Sequence, residues 1–325
     1  MDFLLSDIHD DLASSVDALL TKADAPALAR AWAAGDRAPA KGVFGQLADI
    51  GVFGLLIDEG HGGAGAGAVE MVVALEQVGR HALPGPIVES VAVLPVLLRD
   101  TDADAEEQLR AIAEGGLGSA AAAPMSPRAA DADVADRIYV VENDSLSTAT
   151  VESTARTVDP TRTVSTVRAA EPVAEGVDGD RAAQVGALGT AAQLLGLGAA
   201  MLTIASEYAL SRTQFGRQIG SFQAVKHHLA DVAIALEMAR PLVHAAALGI
   251  DGAVPAGVVV DRDISAAKVA AADAAYLASR RALQVLGAIG YTAEHDVSLY
   301  ITKTRALMTA WGTPAQHRAR ILESL

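Results

Sequence analysis

Apolar residues recur at spacings of three and four through the first third of the chain and again through its second half, with short β-favouring runs between them. The first pattern predicts helices over SDIHDDLASSVDALL, FGQLADIG, GAVEMVVALEQVGRHAL and IVESVAVLPVLLRD. In the third of these, Val69, Val72, Val73, Leu75 and Val78 spread over one broad face, with Glu70 and Glu76 outside it. Between helices lies the glycine-rich turn DEGHGGAGAG, Asp58 to Gly67, which lacks the strand, GxGxxG register and crossover helix of a dinucleotide fingerprint. Around residues 117–178 the runs RIYVVEN, STATVES and RTVSTVRAAEPV, separated by Asp, Asn, Pro and Gly, predict a small β region. Helical periodicity then returns over 182–211, 222–250, 261–288 and 294–310, with a loop at Gly249 to Gly257 and a shorter helix after Pro314. The expected architecture is mainly α with a small β domain: an N-terminal helical domain over 1–113, a middle β domain over 114–180 and a four-helix bundle over 181–325.

Composition agrees with this and narrows the partners. A chain of 325 residues with 51% hydrophobic and 20% charged residues can bury a large core, and 4% aromatic content with Ala-rich runs favours closely packed helices. The formal charge of −15 argues against nucleic acid or an anionic membrane as partner, because both need a basic surface. The absence of cysteine excludes disulfides, thiolate catalysis and Cys-ligated metal. The start MDFLLSDIHDDL is acidic where a secretory signal is basic and reads as a helix of the mature protein, so a cytoplasmic location is expected. The uncharged stretch Ala182 to Ser206 has a membrane-spanning length, but Gln184, Thr190, Gln193 and many Gly and Ala residues mark it as a buried helix of a soluble bundle.

Two segments carry the chemical signal. In SRTQFGRQIGSFQAVKHHLAD, Ser211 to Asp231, the residues Arg212, Arg217, Lys226, His227 and His228 bring positive charge to helix ends of an acidic protein. That cluster suits a phosphate or pyrophosphate, or else simply neutralises a helix C-terminus. In QVLGAIGYTAEHD, Gln284 to Asp296, Gly287 and Gly290 either admit a ligand to the backbone or cap a helix. Glu294 and His295 either face a substrate or cap the next helix, the cap being the preferred reading. His61, His81 and His317 are isolated, and no His, Asp and Glu spacing suits a metal.

Together and in this order, the two segments resemble the C-terminal domain of the acyl-CoA dehydrogenase family, with its patterns R-x-Q-F-G-x-x-I-x-x-F-Q and Q-x-x-G-G-x-G-Y. LADIGVFGLLIDEGHGGAGAGAVEMVVALEQVGR is similar to the family's first domain, and DPTRTVSTVR to the end of its β domain. The resemblance implies helical, β and four-helix domains, with FAD between the last two and its adenosine and pyrophosphate reaching into a neighbouring subunit. On that resemblance the residues meeting the neighbour's FAD are Arg212, Gln214, Phe215, Gln223, Gln284, Gly287 and Gly290, with Ala288 where a second glycine is usual.

The family's reaction removes the α-proton of an acyl-CoA thioester with a carboxylate while hydride passes to the flavin. Of the two positions where the family places that base, Trp311 stands at one and Gly186, followed by Ala187, at the other. Neither accepts a proton, and no catalytic residue is assigned. The middle domain is also short, with AAAAPMSPRA as a remnant of the family's T-E-P-x-x-G-S-D segment. The resemblance extends to the short partner subunits of actinobacterial steroid-degrading enzymes. It implies an α2β2 heteromer in which a full-length acyl-CoA dehydrogenase subunit supplies base and β domain for an acyl-CoA substrate. Two other readings stay open: a self-sufficient homomeric enzyme with Asp159 or Glu207 as relocated base, and a non-catalytic scaffold or acyl-CoA-binding relic.

Overall fold

A computed structural model describes residues 5–99, 101 and 103–325. Met1 to Leu4 and Asp100, at the ends of two expected helices, lie outside the described residues. The N-terminal part holds α1 (Asp7–Lys22), α2 (Ala25–Ala33), α3 (Ala38–Asp49), α4 (Ala68–Arg80), α5 (Leu94–Leu98) and α6 (Ala103–Ala113). Pro26 at the start of α2 and Pro39 at the start of α3 preset the helical φ where no N–H is needed. The predicted helix over 87–100 takes an unexpected form. Its Glu89–Val93 stretch is π-helical and runs into α5, the wider turn found where a helix must re-aim side chains.

Five strands follow: β1 (Gly118–Ala122), β2 (Ala129–Ala130), β3 (Arg137–Glu142), β4 (Ser145–Arg156) and β5 (Thr163–Glu175), in the sheet order β1-β3-β4-β5-β2. Among the described residues only β1 and β3 pair in parallel; the other pairings are antiparallel. Asn143, at φ 59°, turns β3 into β4. The turn between β4 and β5 carries Asp159, Thr161 and Arg162 back toward the helices.

The C-terminal part is built on α7 (Gly179–Ser211), α8 (Gln223–Ile250) and α9 (Val260–Leu286), followed by α10 (Val297–Leu307) and α11 (Pro314–Glu323); a small hairpin, β6 (Thr213–Gln214) with β7 (Arg217–Gln218), joins α7 to α8. The apolar window of α7 is 89% buried, so this is a core helix, as its glutamines and small residues predict. Small side chains let backbones touch. A methyl on Gly79 would lie 2.1 Å from the Gln193 carbonyl oxygen, and one on Gly196 1.9 Å from that of Glu76, so α4 crosses α7 at a distance only glycine allows. Two polar contacts tie α4 to α8 and to the residue that ends it. Asp251 accepts from the N–H groups of Ala68 (2.7 Å) and Val69 (3.1 Å) at the start of α4, and Arg240 donates to Glu76.

Candidate functional site

Gly198, Leu236 and Ala275 meet where α7, α8 and α9 pack, and from that level the end of α7, the start of α8 and the end of α9 are each roughly three to four turns away in the same direction. An Arg281–Asp231 pair at 3.8 Å ties α9 to α8 near this end. The antiparallel bundle therefore gathers both sequence motifs at one end. Arg212, Gln214, Phe215, Gln223 and Gln284 are exposed there, Gly287 is half-buried and Gly290 is buried. Phe215 and Gly216 have φ of 52° and 77°, a two-residue turn with both central residues in the left-handed region. That turn holds the Phe215 ring 91% exposed, edge-on to Phe222 at 6.2 Å, while the Arg217 guanidinium lies 4.1 Å from the Phe222 centroid. Among the described residues Arg212 forms no ion pair. Gly287, at φ 64°, ends α9, and the chain passes through a 3₁₀ turn to α10, where His295 Nδ1 accepts from the Val297 N–H at 3.1 Å. His295 is thus the cap expected of it.

The second assembly is buried at the junction of all three parts. Trp311 and Gly186 are neighbours: a methyl on Gly186 would lie 2.7 Å from Trp311 Cδ2 and 2.9 Å from Val93 Cγ2. The indole is 1% exposed and its backbone sits at φ 54°, a conformation that costs about 1–2 kcal/mol and needs the surroundings to hold it. Two bonds do so. Trp311 Nε1 donates to Glu89 Oε1 at 3.1 Å, and the Trp311 carbonyl lies 3.0 Å from His317 Nε2. His317 Nδ1 meets Ser265 Oγ at 3.1 Å, and burial pushes the imidazole down to about 4, so it is neutral and donates through Nε2.

Glu89 is the acid that sequence reasoning missed. It comes from the π-helical turn, about a hundred residues before Gly186, and no spacing rule links it to Trp311. Arg162 Nη2 also donates to Glu89 Oε1 at 3.3 Å, whereas the buried Oε2 has no hydrogen-bond partner. Arg162 Nη1 lies 3.9 Å from Asp131 Oδ2, and burial pushes the Asp131 carboxyl up to about 6 against the pull of Arg162. Burial would also raise Asp159, but Lys303, 3.1 Å away, and Thr161 hold it below the ordinary carboxylate range. Asp159 is therefore committed to an ion pair. Glu207 is exposed near the other end of α7, roughly 30 Å along the helix from Gly186. Lys268 is fully buried, donates to the Leu307 and Met308 carbonyls, and is pushed down to about 7 by burial, with Arg162 adding to the effect.

Above the junction, a groove of about 570 Å³ runs between the sheet and the α10–α11 region, with Pro124, Met125, Val158, Thr309 and Thr313 among its walls and Arg162 at its base.

Residues 6–116 match the acyl-CoA dehydrogenase N-terminal domain and residues 180–325 the acyl-CoA dehydrogenase C-terminal domain. The acyl-CoA dehydrogenase IpdE2 of Mycobacterium tuberculosis is 30% identical over 315 residues, covering 95% of each chain. This chain belongs to the acyl-CoA dehydrogenase family. Its fold is also that of the ChsE4–ChsE5 complex from Mycobacterium tuberculosis, with a TM-score of 0.80 at 20% identity over 100% of this chain and 98% of that one. The Tcur3481–Tcur3483 steroid acyl-CoA dehydrogenase gives 0.79 at 21% identity over 98% and 97%. The two segments that carry the sequence resemblance fall at the exposed end of the bundle, and Trp311 and Gly186 fall side by side in the buried junction.

Proposed function

We propose that this chain is one subunit of an α2β2 acyl-CoA dehydrogenase that completes the FAD site of a full-length partner and contributes no base of its own. The observation that carries this is the contact between Trp311 and Gly186: the residues at the two base positions pack on each other, closed to solvent, with an indole in the space. A base must accept a proton within reach of the α-carbon of its substrate, and neither an indole nor a glycine can accept it.

The exposed end of the bundle has the opposite character. Arg212 supplies charge for a pyrophosphate, Gln214, Gln223 and Gln284 supply amide donors and acceptors, Gly287 and Gly290 let a ligand near the backbone, and Phe215 offers an aromatic face. An aromatic ring held in solvent by a left-handed turn is a surface awaiting cover. FAD, when bound there, supplies the hydride acceptor for desaturation of an acyl-CoA to a 2-enoyl-CoA. Ile234, Met238 and Leu242, one turn apart along α8, are exposed too, which fits a second subunit lying along that helix. The likeness to a pair named as a steroid acyl-CoA dehydrogenase supports a steroid-derived acyl-CoA as substrate.

Copurification with a full-length homologue tests the reading: FAD and dehydrogenase activity appear in the pair and not in the single chain. A second reading has one observation behind it. Glu89 touches Trp311 and carries a free carboxylate oxygen, so a rotation of the indole would make it a relocated base in a self-sufficient enzyme. Flavin and activity in the chain alone, abolished by Glu89→Gln, would establish that reading; acyl-CoA binding without flavin in any pairing would leave a scaffold.

A further inference from the structure

The hairpin between α7 and α8 has little backbone support of its own. Ser211 to Gln218 are all exposed, and two residue pairs, Thr213–Gln218 and Gln214–Arg217, join its strands. A two-stranded hairpin standing in water is marginal, so side chains decide whether it is ordered. Its base is anchored. The Ile219 N–H donates to the Arg212 carbonyl at 2.9 Å, Ser221 Oγ donates to the Gln218 carbonyl at 2.7 Å, and a methyl on Gly220 would lie 3.0 Å from the Ala209 carbonyl oxygen of α7. At the tip, among the described residues, the side chains of Gln214 to Arg217 form no hydrogen bond or ion pair.

What holds the tip is a stack of three side chains. The Arg217 guanidinium lies 4.1 Å from the Phe222 centroid, and the Phe222 ring meets Phe215 edge to face at 6.2 Å and 85°. Phe222 stands immediately before α8, whose first residue is Gln223. Arg217 therefore faces Gln214 across the strands and connects through one ring to Phe215 and to the start of α8.

Resting on the reading that this end completes a partner's FAD site, we infer that Arg217 is a positioning residue: through its stack on Phe222 it holds the hairpin tip in the conformation that receives the flavin's adenosine and pyrophosphate. The face of the guanidinium is taken up by the ring, so its contribution is order before binding. A tip that is competent only part of the time binds with an affinity reduced by that fraction. A cation–π contact at an exposed site amounts to about two- to fivefold in an equilibrium constant, which bounds the effect on FAD binding.

The experiment uses the full chain, free and copurified with its full-length partner, with FAD as the probe. Hydrogen exchange of the free chain reads the order of residues 212–219. Flavin fluorescence, in the pair stripped of flavin and titrated with FAD, reads half-saturation. Arg217→Ala and Phe222→Leu should each speed exchange in the hairpin and leave α8 beyond its first turn unchanged. In the pair each should raise FAD half-saturation about two- to fivefold, and the two together no more than the larger single change. Arg217→Lys, which keeps a cation over the ring, should recover most of the affinity, and the absorption spectrum of the flavin at saturation should stay native throughout. Weaker FAD binding in Arg217→Ala with native binding in Phe222→Leu would mean a direct phosphate contact and overturns the inference. Effects that multiply in the double variant overturn it too, as does native exchange in Arg217→Ala, even where Arg212→Ala/Gln284→Ala loses FAD. Full FAD in the pair carrying Arg212→Ala/Gln284→Ala is the separate failure of the half-site reading, and the inference falls with it.

Discussion

The exposed end of the bundle and the buried junction beneath the sheet are built from the same long helix, α7, and have opposite fates. At Ser211 the helix opens into a hairpin that spends backbone strain on holding Phe215 and its neighbours out in solvent. At Gly186 it closes against an indole, and strain at Trp311 is used to fill space. A side chain held outward at local cost needs a partner to justify it, whereas one held inward at similar cost is already satisfied. The contrast teaches that one helix can serve an open surface at one end and a closed core at the other: around Gly186 the space is packed and wired into a charge network.

The largest effect is expected in the junction. Arg162→Ala removes the cation shared by two buried carboxylates and should lower unfolding free energy by about 3–5 kcal/mol, read in denaturant titrations. A loss below 1 kcal/mol would mean that the junction is wet and open. Trp311→Ala takes away a buried indole and the donor to Glu89, for a loss of about 3–5 kcal/mol by the same measurement, with no dehydrogenase activity gained.

A pH profile sharpens the same side. His317 is neutral in the folded chain down to about 4, while unfolded histidine titrates near 6.5. As pH falls through 6.5 the unfolded state takes up the proton first, so stability drops until about pH 4, by about 3 kcal/mol in all. Asp131 acts with the opposite sign: its raised carboxyl makes the folded state the better proton acceptor between about 4 and 6, so it opposes the loss. His317→Asn should flatten the acid limb, and an unchanged slope would count against a buried neutral imidazole. The smallest effect on stability belongs to the open end. Arg212→Ala and Gln284→Ala should shift it by no more than about 0.5 kcal/mol, while reducing the partner's FAD occupancy.

The open end was largely legible in the sequence, because its residues lie in two contiguous runs with fixed spacing. The helices of the bundle were legible too, since α7 is uncharged over its core and the loop around Gly252 breaks α8 from α9. Less visible was β1, whose GSAAA run lacks β-branched residues and becomes a strand only by burial against β3. Helices α2 and α6, short and flanked by charge, also escaped the periodicity. The junction was hidden for a different reason. Glu89, Arg162, Lys303 and Trp311 come from four separate elements, and a pattern read along the chain does not carry contacts that only the fold creates.

The central claim is a division of labour between subunits, and flavin occupancy tests it most directly. Coexpressed with a full-length acyl-CoA dehydrogenase, the native chain should yield a complex with bound FAD, and an Arg212→Ala/Gln284→Ala chain should yield the same complex with FAD lost. Full FAD in the complex of the double variant, or stoichiometric FAD in the native chain purified alone, would contradict it.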